Sequence, residues 1–165
     1  MSDRGAAPGT EDTEYLYVLL RRSTRELERL EGVGLSRARV QLRPAHVSVL
    51  AALLEASPLT PGEIAARCEL EPSTLTGLLR ALEKQALIER QKVVLDQRSQ
   101  VVSLTSRGRA ASRVAIRIRA EAQADVLHAL PRELTGHIGS WLAKLAVAAQ
   151  KAADAGSRRK GRRRR

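Results

Sequence analysis

Two helix starts in close succession near the middle of this chain constrain its fold more than any other feature. Residues 60–63, Thr-Pro-Gly-Glu, have the form of a capping box, with a hydroxyl at the N-cap, Pro at the first helical position and Glu at the third. This helix is predicted to reach about Cys68, and Pro72 opens another that continues to about Gln85. Two short helices joined by a tight turn form the outline of a helix-turn-helix.

Helical patterns also precede this motif. Residues 1–12 are acidic, contain Gly and Pro, and are predicted to be a flexible leader. Leucines at helical spacing predict a helix over about residues 13–31, ended by the two glycines that follow it. A short basic stretch over residues 35–42 then leads to a helix that starts near Pro44 and stops before Pro58.

The pattern changes after Ala86. Residues 87–90 and 100–104 are predicted to be the two strands of a hairpin, with residues 93–99 as its loop. Thr105 is a good N-cap for a long helix that runs from Ser106 to about Leu130. A last helix follows a break at Pro131, and its apolar residues at helical spacing form one stripe: Leu134, Ile138, Trp141, Leu142 and Leu145.

The helix that begins at Pro72 has two unlike faces. At about 100° per residue, four leucines at positions 75, 78, 79 and 82 share one face. The opposite face is small and polar at first and basic later, as a helix that enters the major groove of DNA requires. An ordinary solvated face would look similar, so this pattern alone leaves both interpretations open. The residues of the outward face are Ser73, Thr76, Gly77, Arg80 and Lys84.

The predicted hairpin loop holds a basic side chain next to a carboxylate, in the sequence Asp96-Gln97-Arg98. An Arg at a hairpin tip can enter the minor groove, where the potential of DNA is most negative. A neighbouring Asp can orient the guanidinium by a charge-assisted hydrogen bond. Taken alone, the same residues are equally consistent with a surface ion pair that contributes about 0–1 kcal/mol.

Together these parts resemble the MarR family of winged helix-turn-helix transcriptional regulators, over about residues 13–152. The stretches that carry the resemblance are RPAHVSVLAALLEASPLTPGEIAARCELEPSTLTGLLRALEKQALIER and, after the loop, DQRSQVVSLTSRGRA. The resemblance implies that residues 71–84 are a recognition helix and that Asp-x-Arg lies in the wing. It also implies that Leu104-Thr105-x-x-Gly108 starts a long dimerisation helix. The outer helices at both termini would intertwine with those of a second subunit.

The resemblance also supplies a set of DNA-contacting residues. Contacts to bases or phosphates carry over to Ser73, Thr74, Thr76, Gly77 and Arg80, with Lys84 on the same face, and the wing role carries over to Asp96 and Arg98. This sequence departs from the family pattern in two places. Ala86 stands where the family has Gly at the end of the recognition helix, and a left-handed Ala there would cost about 1 kcal/mol. Residues 93–95, Val-Val-Leu, stand where polar wing residues are usual.

The predicted fold is therefore mainly α-helical with a small β-hairpin wing. The DNA-binding core spans about residues 44–105, and dimerisation helices span about residues 13–31 and 106–152. Residues 153–165 are predicted to be a disordered basic tail. Its last segment, from Ser157 to Arg165, holds six Arg and one Lys. Taking those seven charges from the net +11 leaves +4 on the remainder, so the tail suits a polyanion.

No catalytic or metal-binding pattern is visible. The three histidines, His46, His128 and His137, are dispersed, and no His, Cys or Asp cluster has the spacing of metal ligands. The single Cys68 rules out an internal disulfide and is expected to be a small core residue rather than an oxidant sensor. No apolar run is long enough to cross a membrane. We therefore expect a cytoplasmic, nucleoid-associated bacterial protein with no cofactor, no metal, no membrane partner and no enzymatic activity.

The function that follows is sequence-specific binding to double-stranded DNA. The apolar stripes of the first and last helices exceed what one small winged domain can bury, so a homodimer is predicted. It would read a pseudo-palindromic operator with half-sites about 10 bp apart. The family resemblance implies that it acts as a repressor and responds to a small-molecule effector, which the sequence does not identify. The alternative is an architectural protein that coats DNA with nearly equal affinity for all sequences.

Overall fold

The computed structural model describes the backbone of residues 10–93 and 96–162, and the side chains of residues 15–92 and 100–152. Six helices and one antiparallel hairpin make up this part of the chain, as the sequence predicts. In chain order they are α1 (Thr10–Arg37), α2 (Pro44–Glu55), α3 (Pro61–Cys68), α4 (Pro72–Lys84), β1 (Ile88–Val93), β2 (Asp96–Leu104), α5 (Ser106–His128) and α6 (Arg132–Arg162).

The hydrophobic core lies where α2, α3 and α4 pack against the hairpin and the first half of α5. It is aliphatic throughout, because the chain has no Phe and its few aromatic residues lie outside it. The segment between α2 and α3 adds a third pairing to the hairpin, since Leu59 and Val102 exchange backbone hydrogen bonds of 3.1 and 2.8 Å. The most deeply buried side chains include Val47, Leu50, Leu53, Ile64, Leu79, Leu82 and Val102.

The first helix is longer than predicted, so the expectation that the two glycines end it is wrong. Isolated glycines only weaken a helix, and Gly34 has a packing role here. A Cβ at Gly34 would lie 2.7 Å from Cγ2 of Ile118, so its absence lets α5 pass close to α1. The helix ends instead with Arg39 in the left-handed conformation, at φ 56°.

The hairpin is also longer than predicted. Its strands are Ile88–Val93 and Asp96–Leu104, so most of residues 93–99 extend the strands rather than form a loop. Apolar Val93 favours a paired strand over an open loop. The register pairs Ile88 with Leu104 and becomes irregular between Lys92 and Val93. Residues 94 and 95 lie outside the described part of the chain.

The helices at both ends extend into segments predicted to lack structure. The first helix begins at Thr10, within the predicted leader, whose residues 1–9 lie outside the described part. The last helix continues to Arg162, so the predicted disorder is wrong for the backbone of residues 153–162. This segment contains Ala, Arg and Lys, which favour helix, and no Pro to end it.

The chain divides into two compact units, one reaching to Ala122 and the other starting at Gln123. The first unit contains α2, α3, α4, the hairpin and the start of α5, which we call the winged region, and the second contains α6. In the described part, no helix combines the length and apolar character needed to cross a membrane.

Candidate nucleic-acid interface

Helix α4 has the two faces that the sequence predicts. On one side Leu75, Leu79 and Leu82 are each at most 2 % exposed and anchor the helix in the core. The six predicted DNA-contacting residues of this helix are exposed together on the other side: Ser73, Thr74, Thr76, Gly77, Arg80 and Lys84. The structure therefore brings these predicted site residues onto one solvent-facing surface, which we call the outward face of α4.

The chemistry of this outward face depends on groups that the chain leaves free. Neither Arg80 nor Lys84 has a hydrogen bond or ion pair within the described residues, so both charges are available to a ligand. A Cβ at Gly77 would have nothing within 4 Å, so the fold itself does not require glycine there. The hydroxyl of Thr76 donates to the carbonyl of Pro72 at 2.8 Å, which leaves its oxygen as an acceptor.

The preceding helix is fixed at both ends, which fixes the turn before α4. The capping box at the start of α3 is present, because the Glu63 carboxylate accepts from the Thr60 amide at 2.7 Å while the Glu63 amide donates to the Thr60 hydroxyl at 3.3 Å. The hydrogen bonds that the Thr60 amide and the Thr60 hydroxyl donate to this carboxylate lower the pKa of Glu63. The helix ends with Glu69 in the left-handed conformation and a hydrogen bond from Leu70 to Ala65.

The other end of α4 contains Ala86, at the position where the family pattern has Gly. Ala86 adopts φ 56°, so the left-handed cap forms without glycine. The amides of Ala86 and Leu87 donate to the carbonyls of Glu83 and Leu82 at 2.8 and 3.0 Å. These two hydrogen bonds form a Schellman motif, and Leu82 and Leu87 within it are both buried.

Thr105 ties the end of α4 to the start of α5. Its hydroxyl donates to the carbonyl of Ala86 at 2.8 Å and accepts from the amide of Gly108 at 2.9 Å, which caps α5 as predicted. A Cβ at Gly108 would lie 1.8 Å from the carbonyl oxygen of Leu87, so only glycine fits. The end of α4, the start of the hairpin and the start of α5 therefore meet at one hydrogen-bonded junction.

An ion pair that the sequence analysis missed joins α4 to the hairpin. Nε of Arg90 lies 3.1 Å from a carboxylate oxygen of Glu83, and the Arg90 side chain is 26 % exposed. The pair connects the last turn of α4 to β1, so it orients the hairpin relative to the outward face. The two residues are separated by the left-handed turn, and no helical or strand periodicity relates them.

Asp96 and Arg98, the predicted wing residues, lie in the first part of β2. Their side chains are outside the described part of the structure, so their ion pair and their contact with DNA stay predictions.

A groove of about 650 Å³ opens beside the outward face. Its walls come from the segment before α2 and from α4, and its lining residues are Gln41, Leu42, Arg43, His46, Thr74, Gly77, Leu78, Ala81 and Gln85. The buried His46 accepts from the backbone amide of Arg43 through Nδ1 at 3.0 Å. Burial and the neighbouring Arg43 lower the pKa of His46, so it adds no positive charge to the groove near neutral pH.

A second feature missed by sequence reasoning is a guanidinium that joins three helices. Arg119 on α5 donates to the Glu31 carboxylate on α1 at 3.0 Å. It also donates to the carbonyl of Pro44 at 2.8 Å and the hydroxyl of Ser48 at 3.1 Å, both on α2. The other carboxylate oxygen of Glu31 is buried without a partner among the described residues. These residues are scattered over the sequence, and nothing in its local pattern indicates that they meet.

The comparisons with known proteins agree with this geometry. Residues 40–99 match the MarR family model. Among many similar solved structures, a transcriptional repressor, CouR, bound to a 23-mer DNA duplex has 28 % identity and a TM-score of 0.74 over 86 % of this chain and 99 % of that one. This chain is thus similar to the MarR family over residues 40–99, and most of it has the fold of this solved repressor. Comparison with curated protein sequences gave no match.

Two solved structures of lower sequence identity have the same fold. MepR from S. aureus, in a DNA complex, has 22 % identity and a TM-score of 0.71 over 80 % of this chain and 96 % of that one. BpsR from Bordetella bronchiseptica, whose DNA binding is regulated by 6-hydroxynicotinic acid, has 20 % identity and a TM-score of 0.73 over 80 % of this chain and 98 % of that one.

The MarR-like part of the chain holds little other reactive chemistry. Among the residues with described side chains, no group of three or more His, Cys, Asp or Glu could hold a metal ion. Cys68 is half-buried at the end of α3, and burial raises the pKa of its thiol, which favours the less reactive protonated form.

Proposed function

We propose that this protein is a homodimeric, ligand-responsive transcriptional repressor that binds a pseudo-palindromic operator. The observation that carries the proposal is the outward face of α4, where small polar residues and two cations without a partner in the described part project from a helix that is anchored in the core and closed by a Schellman motif. A helix of this kind suits the major groove, because its small residues permit close approach and Arg can pair with guanine.

In this proposal Arg80 reads a base edge, and Ser73, Thr74, Thr76 and Gly77 allow and shape the close approach of the helix. Lys84 neutralises a phosphate near the end of the helix. In the wing, Arg98 enters the minor groove and Asp96 orients it. DNA complexes of CouR and MepR, and of a mutant MarR from E. coli with operator DNA, support this use of the fold.

The dimer is supported by apolar side chains that one copy of the chain leaves in water. On α1 they include Tyr15, Tyr17 and Val18, and on α6 Leu134 and Trp141, which is 72 % exposed. A second copy can cover these stripes and place two recognition helices about one turn of DNA apart. The regulation of BpsR by 6-hydroxynicotinic acid supports a small-molecule effector, whose identity here is open. A DNA-binding regulator acts in the cytoplasm, which is where we place this protein.

The test is a titration of the protein against DNA from upstream of its own gene and against a scrambled duplex of the same length. We expect the upstream DNA to bind at least 1,000-fold more tightly, as specific regulators do. Arg80→Ala should remove about 1–3 kcal/mol from specific binding alone. Arg25→Ala, an exposed arginine on α1 without an ion pair in the described part, is the control and should change neither affinity.

Equal affinity for both duplexes would contradict the proposal and favour an architectural protein. A loss for Arg80→Ala that is equal on both duplexes would make Arg80 a phosphate contact. For the wing, Arg98→Ala should weaken binding strongly and Asp96→Ala more mildly, with the dimer intact in both. Wild-type affinity in both wing variants would show that the wing does not contact DNA.

A further inference from the structure

The basic segment between α1 and α2 has no role in the interface described so far. It contains Arg37 at the end of α1, then Arg39 and Arg43, and all three side chains are exposed. The sequence has no Asp or Glu between Glu31 and Glu55. This part of the chain therefore carries a local excess of positive charge.

The three charges are also unpaired, unlike several arginines elsewhere in the same unit. Arg29, Arg67, Arg90, Arg117 and Arg119 each lie within 4.0 Å of a carboxylate. No such pair involves the segment between α1 and α2 among the described side chains. A charge that has no partner within the protein is free to bind an external anion.

The backbone that presents Arg39 and Arg43 is ordered by specific hydrogen bonds. The left-handed Arg39 closes a Schellman motif, in which its own amide donates to Ser36 at 3.0 Å and the Val40 amide donates to Leu35 at 2.9 Å. Leu35 and Leu42 are buried at the two ends of the turn. The arginines therefore project from a fixed base, which reduces the entropy that binding must remove.

The position of this segment relative to α4 identifies its partner. Arg43 lines the same groove as Thr74 and Gly77, which belong to the outward face of α4. A helix with its side chains is about 10–12 Å wide and nearly fills a major groove about 12 Å wide. Groups that flank such a helix therefore face the phosphates that border the groove.

We propose that Arg39 and Arg43 bind the phosphates beside the major groove that α4 enters, and so anchor the recognition helix without reading sequence. The inference rests on the proposed DNA-binding function. Because burial and Arg43 lower the pKa of His46 in the same groove, the arginines are the main source of attraction. A phosphate requires charge rather than a particular donor geometry, so Lys can replace Arg at both positions.

The test compares wild type with Arg39→Gln/Arg43→Gln on the upstream DNA and on a scrambled duplex, at several salt concentrations. A dimer of the variant loses four phosphate contacts, so the slope of log K against log salt should fall by about 3–4. Affinity near physiological salt should fall about 10- to 100-fold on both duplexes alike. Arg39→Lys/Arg43→Lys should restore most of the affinity and the slope.

The matched control is Arg22→Gln/Arg25→Gln, which removes equal charge about 18 Å or more along α1 from Arg37 and should leave the slope unchanged. Circular dichroism and light scattering confirm that each variant folds and dimerises. An unchanged slope in Arg39→Gln/Arg43→Gln would overturn the inference, as would a loss confined to the upstream DNA or the same slope change in the control. In each of these cases a loss of specific binding in Arg80→Ala would show that the proposed function still holds.

Discussion

The winged region and the last helix differ in where their apolar side chains lie, since the first buries them and the second exposes them. In the winged region, α2, α3, α4 and the hairpin enclose an aliphatic core, with Leu50, Leu53 and Ile64 fully buried within one chain. In α6, the apolar stripe that contains Leu134, Trp141 and Leu142 remains exposed. The winged region thus buries its apolar side chains within one copy of the chain, whereas α6 leaves its stripe uncovered. Stability of the first should therefore be independent of protein concentration, and order in the second should depend on it.

The largest loss of stability should come from a substitution at the contact between Gly108 and Leu87. In Gly108→Ala, the new methyl group would collide with the Leu87 carbonyl, so we expect unfolding to become easier by about 3 kcal/mol or more. Chemical denaturation should show this loss at every protein concentration. Gly62→Ala is the control, because a Cβ there has nothing within 4 Å. Equal stability of Gly108→Ala and wild type would show that α5 does not start against Leu87.

The second largest effect should be on dimerisation, which we expect to depend on α6 and not on the folding of the winged region. Leu142→Glu places a charge in the α6 stripe of both subunits and should weaken dimerisation about 100-fold, since a buried Leu contributes about 1.5–3 kcal/mol. Analytical ultracentrifugation gives the dissociation constant, while circular dichroism should show that the winged region stays folded. Ser140→Glu, on another part of the same helix, should dimerise almost normally. A dimer equally strong in Leu142→Glu would show that this stripe is not the interface.

A smaller effect is expected at the point where α1 is attached to the winged region. Arg119→Ala removes the bonds to α2 and leaves the buried Glu31 carboxylate without a partner, at a cost of about 2 kcal/mol. Arg117→Ala is a matched control on the same helix, because its pair with Glu121 is exposed on both sides and contributes about 0–0.5 kcal/mol. Urea unfolding of both variants measures the difference, and equal losses would mean that the three-helix contact adds nothing.

The smallest effect should be a gain in stability. Ala86→Gly relieves a left-handed alanine and should stabilise the winged region by about 1 kcal/mol. Ala66→Gly, in the interior of α3, should instead destabilise it by about 0.5–1 kcal/mol. Thermal unfolding shows whether each variant is more or less stable than wild type. A loss of stability in Ala86→Gly would mean that α4 does not end in the left-handed turn.

The features predicted correctly from sequence are those that neighbouring residues determine. The capping box at Thr60, the N-cap at Thr105 and the two faces of α4 depend on spacings of a few residues, and all three are confirmed. The helical projection predicted the exposed face of α4, and the family resemblance added Thr74 to this set and the expected wing role of the hairpin. The contacts of that set with DNA remain predictions.

The features that were missed depend on residues far apart in sequence. The close approach of Gly34 to Ile118 keeps α1 helical past its glycines, and only the packed structure shows it. The contacts of Arg119 with Glu31 and Ser48 connect positions on three helices in the same way. Helix ends were misjudged for a related reason, since a single Gly weakens a helix without deciding where it stops.

The length of α6 changes what its basic end can reach. At 1.5 Å per residue, the helical backbone of residues 153–162 advances about 15 Å, where an extended arm of the same residues would span more than twice as much. Stacked base pairs are about 3.4 Å apart, so this segment parallels only four or five of them. Any footprint of this segment on a duplex would therefore be short, and the direction of one helix axis would set its position.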